Sequence, residues 1–404
     1  MPALSTELLL IILGSVVVLS YIFSVLSRYI KVPSVLLLLA SGIILRFIAN
    51  AEHWNIALPP QITELLGVTG LIMIVLEAGL DLRLGKEKVS LIRNSFFSAL
   101  FVLLLSAAGV SLALYYWLHE PLINCVVYAI PLSIMSGSIV IPSIHTLTEN
   151  KKEFLVYEAS FSDIMGILFF NYFVAGEVTS LISIGSFFLN IIIAIVLSLV
   201  FSILLLFILT RSKLNIKFFL VFSLLIILYE GGKMMHLPSL IIILVFGLIM
   251  NNWQMIKLPR ISKFFKTAEV QEATHLLHMV TAESSFLIRT FFFILFGFSM
   301  DLSTLADQNV LLTGSAIVLI LLVARFLYLK FFLKENIYPE VAFIPRGLIT
   351  ILLFYKIPDN LQLRNFNEGI LFFVILVSGF IMMLGMIFYK KKGNEIVEEE
   401  LLSK

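Results

Sequence analysis

Cysteine is almost missing from this 404-residue chain: Cys125 stands alone, which excludes an internal disulfide or a thiolate metal cluster. Charge is scarce too, at 13% of residues, where soluble domains use about 25%. The six histidines are scattered, with no HExxH pair and no nucleophile motif, so an enzyme is not expected and no cofactor is implied. A net charge of +2, dispersed between apolar runs, gives no nucleic-acid signal. Hydrophobic side chains fill the space, at 60% of the sequence.

That composition selects a bilayer as the solvent. A hydrocarbon core of roughly 30 Å needs about 20 mostly apolar residues per helix. Uncharged runs of that length recur, as at Leu8 to Ser27, Asn94 to Leu118 and Gly369 to Tyr389. Barrel strands would alternate polar and apolar residues, so the expectation is an all-α polytopic membrane protein of about thirteen transmembrane helices. No cleavable leader is expected, because the first apolar run has full membrane length and lacks a basic leader.

Loop charges alternate along the chain. One set is basic, with Arg83, Lys86, Lys88 and Arg93, then Lys151 and Lys152, then Lys257, Arg260, Lys263 and Lys266, and finally Lys390 to Lys392. The intervening set, around Glu52, Glu120, Glu177, Asp301 and Asp307, is poor in bases. The positive-inside rule then predicts the N-terminus outside and the C-terminus in the cytoplasm of a cell inner membrane or plasma membrane. Residues 253–279 read as a cytoplasmic loop containing an interfacial helix.

The sequence also repeats. VPSVLLLLASGIIL at 32–45 aligns without gaps on LPSLIIILVFGLIM at 237–250, matching Pro33 to Pro238, Ser34 to Ser239 and Gly42 to Gly247. Each is followed by a helix ending in a related phrase, AGLDL at 78–82 and GFSMDL at 297–302, and AIP at 129–131 echoes FIP at 343–345. The members of each pair run in opposite directions through the membrane, the arrangement of secondary transporters whose site lies near the midplane at interrupted helices. The organisation expected is one transmembrane domain over 1–392: a first inverted repeat at about 31–175, a linker helix at about 183–210, a second repeat at about 236–390, and a cytoplasmic tail at 393–404.

Interruption is expected at two places. PLSIMSGSIVIPS at 131–143 places Pro131, Gly137, Pro142 and four serines, Ser136 and Ser138 among them, where helix should be continuous. IPRGLIT at 344–350 flanks Arg346 with Pro345 and Gly347. Proline removes a backbone donor and glycine weakens a helix, so unwinding is locally inexpensive at both.

Charges converge on one depth. At about 1.5 Å per residue, Asp163 lies ~15 Å into the sixth span, with Arg325 and Arg346 at ~12 to 14 Å. A bare carboxylate there costs several kcal/mol, so Asp163 must be protonated, paired with a base or holding a cation. Glu158 and Ser162 share a helix face, and Asp163 adjoins it. Glu77, Glu283 and Arg289 are open between gating, packing and placement near an interface.

The phrase EASFSD at 158–163 in the sixth span, with an RGL helix near the end, resembles the monovalent cation/proton antiporters, most closely the sodium/proton exchangers of NhaP type. The resemblance extends over nearly the whole chain through VPS at 32–34, GLDL, GFSMDL and IPRG. It implies that Asp163 binds the ion and accepts the proton, that Glu158 and Arg325 form a supporting salt bridge, and that the protein is a homodimer exchanging Na+ or K+ for H+. It differs at Ser162, where the family has Asn, and at Ser136, Gly137 and Ser138, where the family has Thr-Asp-Pro. No cytoplasmic nucleotide-binding domain is expected after the last span. Electroneutral exchange is expected because Ser162 cannot ionise and Arg325 stays protonated. An organic-anion carrier using Arg325 and Arg346, or an ion sensor without transport, are the alternatives.

Overall fold

A computed structural model describes residues 6–30, 32–52, 60–175, 181–211, 218–235, 237–253, 267–333 and 337–389. Among them there is no strand, and the α-helices number fourteen. In hydrocarbon every backbone N–H and C=O must be satisfied within the protein, which a helix does by itself.

The helices are α1 (Thr6–Ile30), α2 (Ser34–Ala51), α3 (Pro60–Asp81), α4 (Val89–Leu118), α5 (Leu122–Ser133), α6 (Gly137–Ser143), α7 (Glu149–Val174), α8 (Leu181–Arg211), α9 (Phe218–Met234), α10 (Ser239–Asn251), α11 (Thr267–Ser299), α12 (Gln308–Tyr328), α13 (Leu348–Phe354) and α14 (Gly369–Phe388). Since α5 and α6 are two halves of one interrupted pass, the fourteen helices make the thirteen passes expected. Eight stretches are long and apolar enough to cross a bilayer by length and composition alone. Among the others, α7 carries several charges and α13 is only a half-helix. Exposed Phe188, Ile192, Val196 and Val200 give α8 an apolar surface suited to lipid tails.

One expectation changes. Residues 267–279 are not a separate interfacial helix but the first turns of α11, which runs unbroken for 33 residues. Neither proline nor glycine occurs between Pro259 and Gly297, so nothing stops the helix where its polar start meets its apolar continuation. The segment 254–266, the loop 212–217 and the tail 393–404 lie outside the described residues.

The chain forms two units. The first comprises residues 1–59, 90–170 and 289–404. Within it α5 packs on α13, α12 on α14 and α1 on α2. Gly42 of α2 lies so close to α11 that a Cβ there would overlap the carbonyl oxygen of Ile294. The second unit comprises residues 60–89 and 171–288. Its centre is α10, packed against α3, α8 and α9. Here Gly247 meets Gly79, and a Cβ on Gly247 would stand 3.0 Å from the Gly79 Cα. Glycine permits such backbone approach because it has no side chain to separate the two helices.

Candidate functional site

The first unit contains two interrupted passes that meet. Between α5 and α6, Ile134 and Ser136 are extended, with φ/ψ of −72°/125° and −80°/111°. A continuous helix would bond the amides of residues 135, 136 and 137 to carbonyls one turn earlier. Instead Met135 N donates to Ser162 Oγ (2.9 Å), Ser136 N to the carbonyl of Pro345 (3.0 Å) and Gly137 N to Asp163 Oδ2 (3.1 Å). The break is thus held open by partners from α7 and from the other interrupted pass, so no amide is stranded. Pro131 lies inside α5 and Pro142 inside α6, each away from the break itself.

The second interruption precedes α13. Arg346 is fully buried, and its guanidinium caps carbonyls rather than meeting an acid: Nε donates to Leu132 O (2.6 Å) and Nη1 to Ile344 O (3.2 Å). Its own amide donates to Ser378 Oγ (3.1 Å). Gly347 lies directly against Ser136, whose hydroxyl a Cβ at 347 would overlap. The Ser136 and Ser138 hydroxyls hydrogen-bond each other at 2.9 Å.

Asp163 projects from α7 toward this crossing and is 5% exposed. Among the described residues its only hydrogen bond is the neutral one from Gly137, Oδ1 is buried without a partner, and Asp163 makes no ion pair. One turn earlier on α7, Glu158 has the opposite surroundings. Arg325 of α12 meets it in a fork, Nη1 to Oε1 at 2.9 Å and Nη2 to Oε2 at 2.8 Å, with both side chains 1% exposed. Ser98 Oγ of α4 donates to Glu158 Oε1 at 2.5 Å, and Arg325 Nε donates to Glu340 O at 2.6 Å. The Glu340 carboxylate in turn holds Lys151 Nζ at 2.5 Å.

Asp163, Ser162, Ser136, Gly137, Arg346 and Gly347 therefore assemble around the crossing, whereas Glu158 and Arg325 form a separate closed pair. Of the ambiguous charges, Glu283 is exposed, Glu77 is half-buried in the second unit, and Arg289 Nη1 reaches Ser138 O at 3.5 Å, the outer limit of a hydrogen bond. Sequence reasoning missed Ser98, Glu340 and Lys151. Ser98 is one of several serines on an apolar helix, and only the fold brings it to Glu158; the closeness of Glu340 to the interrupted IPRG segment was the available signal for that residue.

A buried carboxylate without an ion pair, with Arg325 bound to Glu158 and Arg346 bound to carbonyls, can take a proton or a hard monovalent cation. Comparison with protein families agrees in kind: residues 14–389 match the model described as sodium/hydrogen exchanger, transmembrane. The chain belongs to the sodium/hydrogen exchanger family. It is thus a multi-pass membrane transporter of the cation/proton antiport class and not an enzyme. Its fold is similar to that of the sodium proton antiporter MjNhaP1 from Methanocaldococcus jannaschii at pH 8, with a TM-score of 0.68, 18% identity and 97% of each chain covered. An electron-microscopy structure of the same antiporter gives a TM-score of 0.66 at 18% identity, covering 96% of this chain and 100% of that one. Comparison with curated proteins gives no match.

Proposed function

We propose that this exchanger swaps one Na+ or K+ for one H+ by competition at Asp163. The observation that carries the reading is the Asp163 carboxylate itself, buried, free at Oδ1 and bound at Oδ2 only by a neutral amide. With neither ligand it is a charge in a low-dielectric core, too costly to carry across the barrier; with a proton or a cation it is neutral. Only the two loaded forms cross readily, and their mutual exclusion couples the fluxes. Hydroxyls of Ser162, Ser136 and Ser138 and carbonyls freed at the two interruptions are the further oxygens within the crossing.

Glu158 and Arg325 support the site without exchanging ions. Glu158 is engaged at both oxygens by the Arg325 guanidinium, which leaves Asp163 as the one carboxylate open to a ligand and makes the cycle electroneutral. Arg325 is bound to Glu158 and to the Glu340 carbonyl, and Arg346 donates to the Leu132 and Ile344 carbonyls, which counts against an organic-anion carrier.

Alternating access follows from the inverted repeats proposed for 31–175 and 236–390. The glycine contacts support them: Gly42 meets α11, and its repeat mate Gly247 meets α3, so helices two and three of one repeat contact their counterparts in the other. A homodimer with its N-terminus outside and C-terminus in the cytoplasm completes the reading. The test uses proteoliposomes with and without a potassium diffusion potential. Wild type should exchange Na+ for H+ at a rate insensitive to voltage, and Asp163→Asn should not exchange at all. Activity surviving in Asp163→Asn removes the site, and a rate that rises with voltage points to Glu158 as a second titrating group.

A further inference from the structure

A hard cation leaving water must replace its hydration oxygens with protein oxygens. At the crossing, Asp163 Oδ1 is one such oxygen, while Gly137 offers only a backbone donor. The Ser162 hydroxyl already accepts from Met135, and those of Ser136 and Ser138 share a hydrogen bond. These hydroxyls each keep a lone pair, and a further buried oxygen near the crossing would add to the shell.

Thr350 of α13 is buried to 0% exposure, and its Oγ1 has no partner. A hydroxyl in a membrane helix can bond the carbonyl four residues back; Thr350, like Ser106, Thr281 and Thr290, does not. Ser133, Ser143 and Ser160, on the neighbouring α5, α6 and α7, each do so, at 2.7, 2.7 and 2.8 Å. For Thr350 the corresponding carbonyl belongs to Arg346, in the interrupted segment, where Gly347 at φ −150° and ψ −142° takes the chain out of helical register. The hydroxyl is left unused. It lies in the first turn of α13, three residues after Gly347, which lies against Ser136, and α13 packs on α5. A buried hydroxyl without a partner costs stability, and its retention on the helix that leaves the crossing is explained if a ligand held by Asp163 also satisfies it.

We propose that Thr350 supplies an oxygen ligand to the transported cation and sets which monovalent cation the site prefers. This rests on the reading of Asp163 as the exchange site. A matched pair of substitutions isolates the oxygen: T350S keeps the hydroxyl, whereas T350C has the same reduced size with a soft sulfur that serves a hard cation poorly. KM and maximal rate for Na+, Li+ and K+ are measured in proteoliposomes of the full chain, together with Na+-dependent thermal stabilisation in detergent.

T350C should raise the KM for Na+ about tenfold, change the Na+/K+ preference, weaken the stabilisation by Na+, and leave the maximal rate within about threefold, whereas T350S should restore KM and preference. If T350C does not reach the membrane, T350V serves in its place. Wild-type KM, preference and Na+ stabilisation in the hydroxyl-free variant, with Asp163→Asn inactive, would overturn the role of Thr350 and leave Asp163 in place. Full exchange by Asp163→Asn would overturn both.

Discussion

Glu158→Gln removes one charge and almost no volume, and the Glu158–Arg325 geometry sets what that should cost. The pair is bidentate at 2.8 and 2.9 Å, both side chains are 1% exposed, and Ser98 adds a third bond at 2.5 Å. Water cannot enter to solvate the orphaned guanidinium. Breaking a buried pair from one side costs about 3 to 5 kcal/mol, chiefly because the remaining charge is uncompensated. Removing both charges with Glu158→Leu and Arg325→Leu should recover most of that loss, since apolar packing of similar volume is often neutral or better than a buried pair. Ser98→Ala should cost less, about 1.5 to 3 kcal/mol, as the loss of one hydrogen bond to a charged group. The assay is unfolding of the detergent-solubilised protein, with Glu158→Leu and Arg325→Leu measured singly beside the double variant to close a double-mutant cycle. A Glu158→Gln effect below about 1 kcal/mol, the range of solvent-exposed pairs, would refute the burial on which the reasoning depends.

Two further outcomes are expected. In Gly137→Ala the new Cβ would lie 2.8 Å from Asp163 Oδ2; the carboxylate must move, so cation/proton exchange in vesicles should fall by about tenfold or more while the overpacking costs only about 1 to 3 kcal/mol of stability, and an unchanged rate would contradict this. Outside the spans, Asp301 accepts from the Ser303 amide at 2.9 Å, which holds its carboxyl below the ordinary value of 3.8. A lowered folded-state value stabilises the protein above the unfolded value and is lost as pH falls through the folded one. Melting temperature should therefore drop less in Asp301→Asn than in wild type between about pH 5 and pH 2.

Much of this was legible in the sequence, for reasons tied to lipid. The thirteen passes follow from apolar length and from breaks at charged loops. The two interruptions follow from Pro131, Gly137, Pro345 and Gly347, although the first break falls at 134–136 rather than at the prolines, because its amides find partners on α7 and at Pro345. Asp163 stood out because a carboxylate amid hydrocarbon demands an explanation. What periodicity could not supply was partnership across the chain. Ser98 lies 60 residues from Glu158, and Arg346 lies 214 from the Leu132 carbonyl that it caps. The unpartnered hydroxyl of Thr350 was invisible for the same reason, since its absent hydrogen bond is defined only by the fold. A separate interfacial helix within 253–279 is not found because the polar residues 267–279 are the first turns of α11, and no glycine or proline is present to end them.

The most direct test of exchange at a single carboxylate is the form of the inhibition by protons. Initial rates of cation uptake are measured across a range of cation concentrations while pH on the cation side is lowered and pH on the opposite side is held fixed. Competition at Asp163 requires the apparent KM for the cation to rise, by up to about tenfold per pH unit on the acid side, with the maximal rate unchanged at saturating cation. A maximal rate that falls with pH at constant KM would mean that proton and cation bind at different places, and would contradict the mechanism.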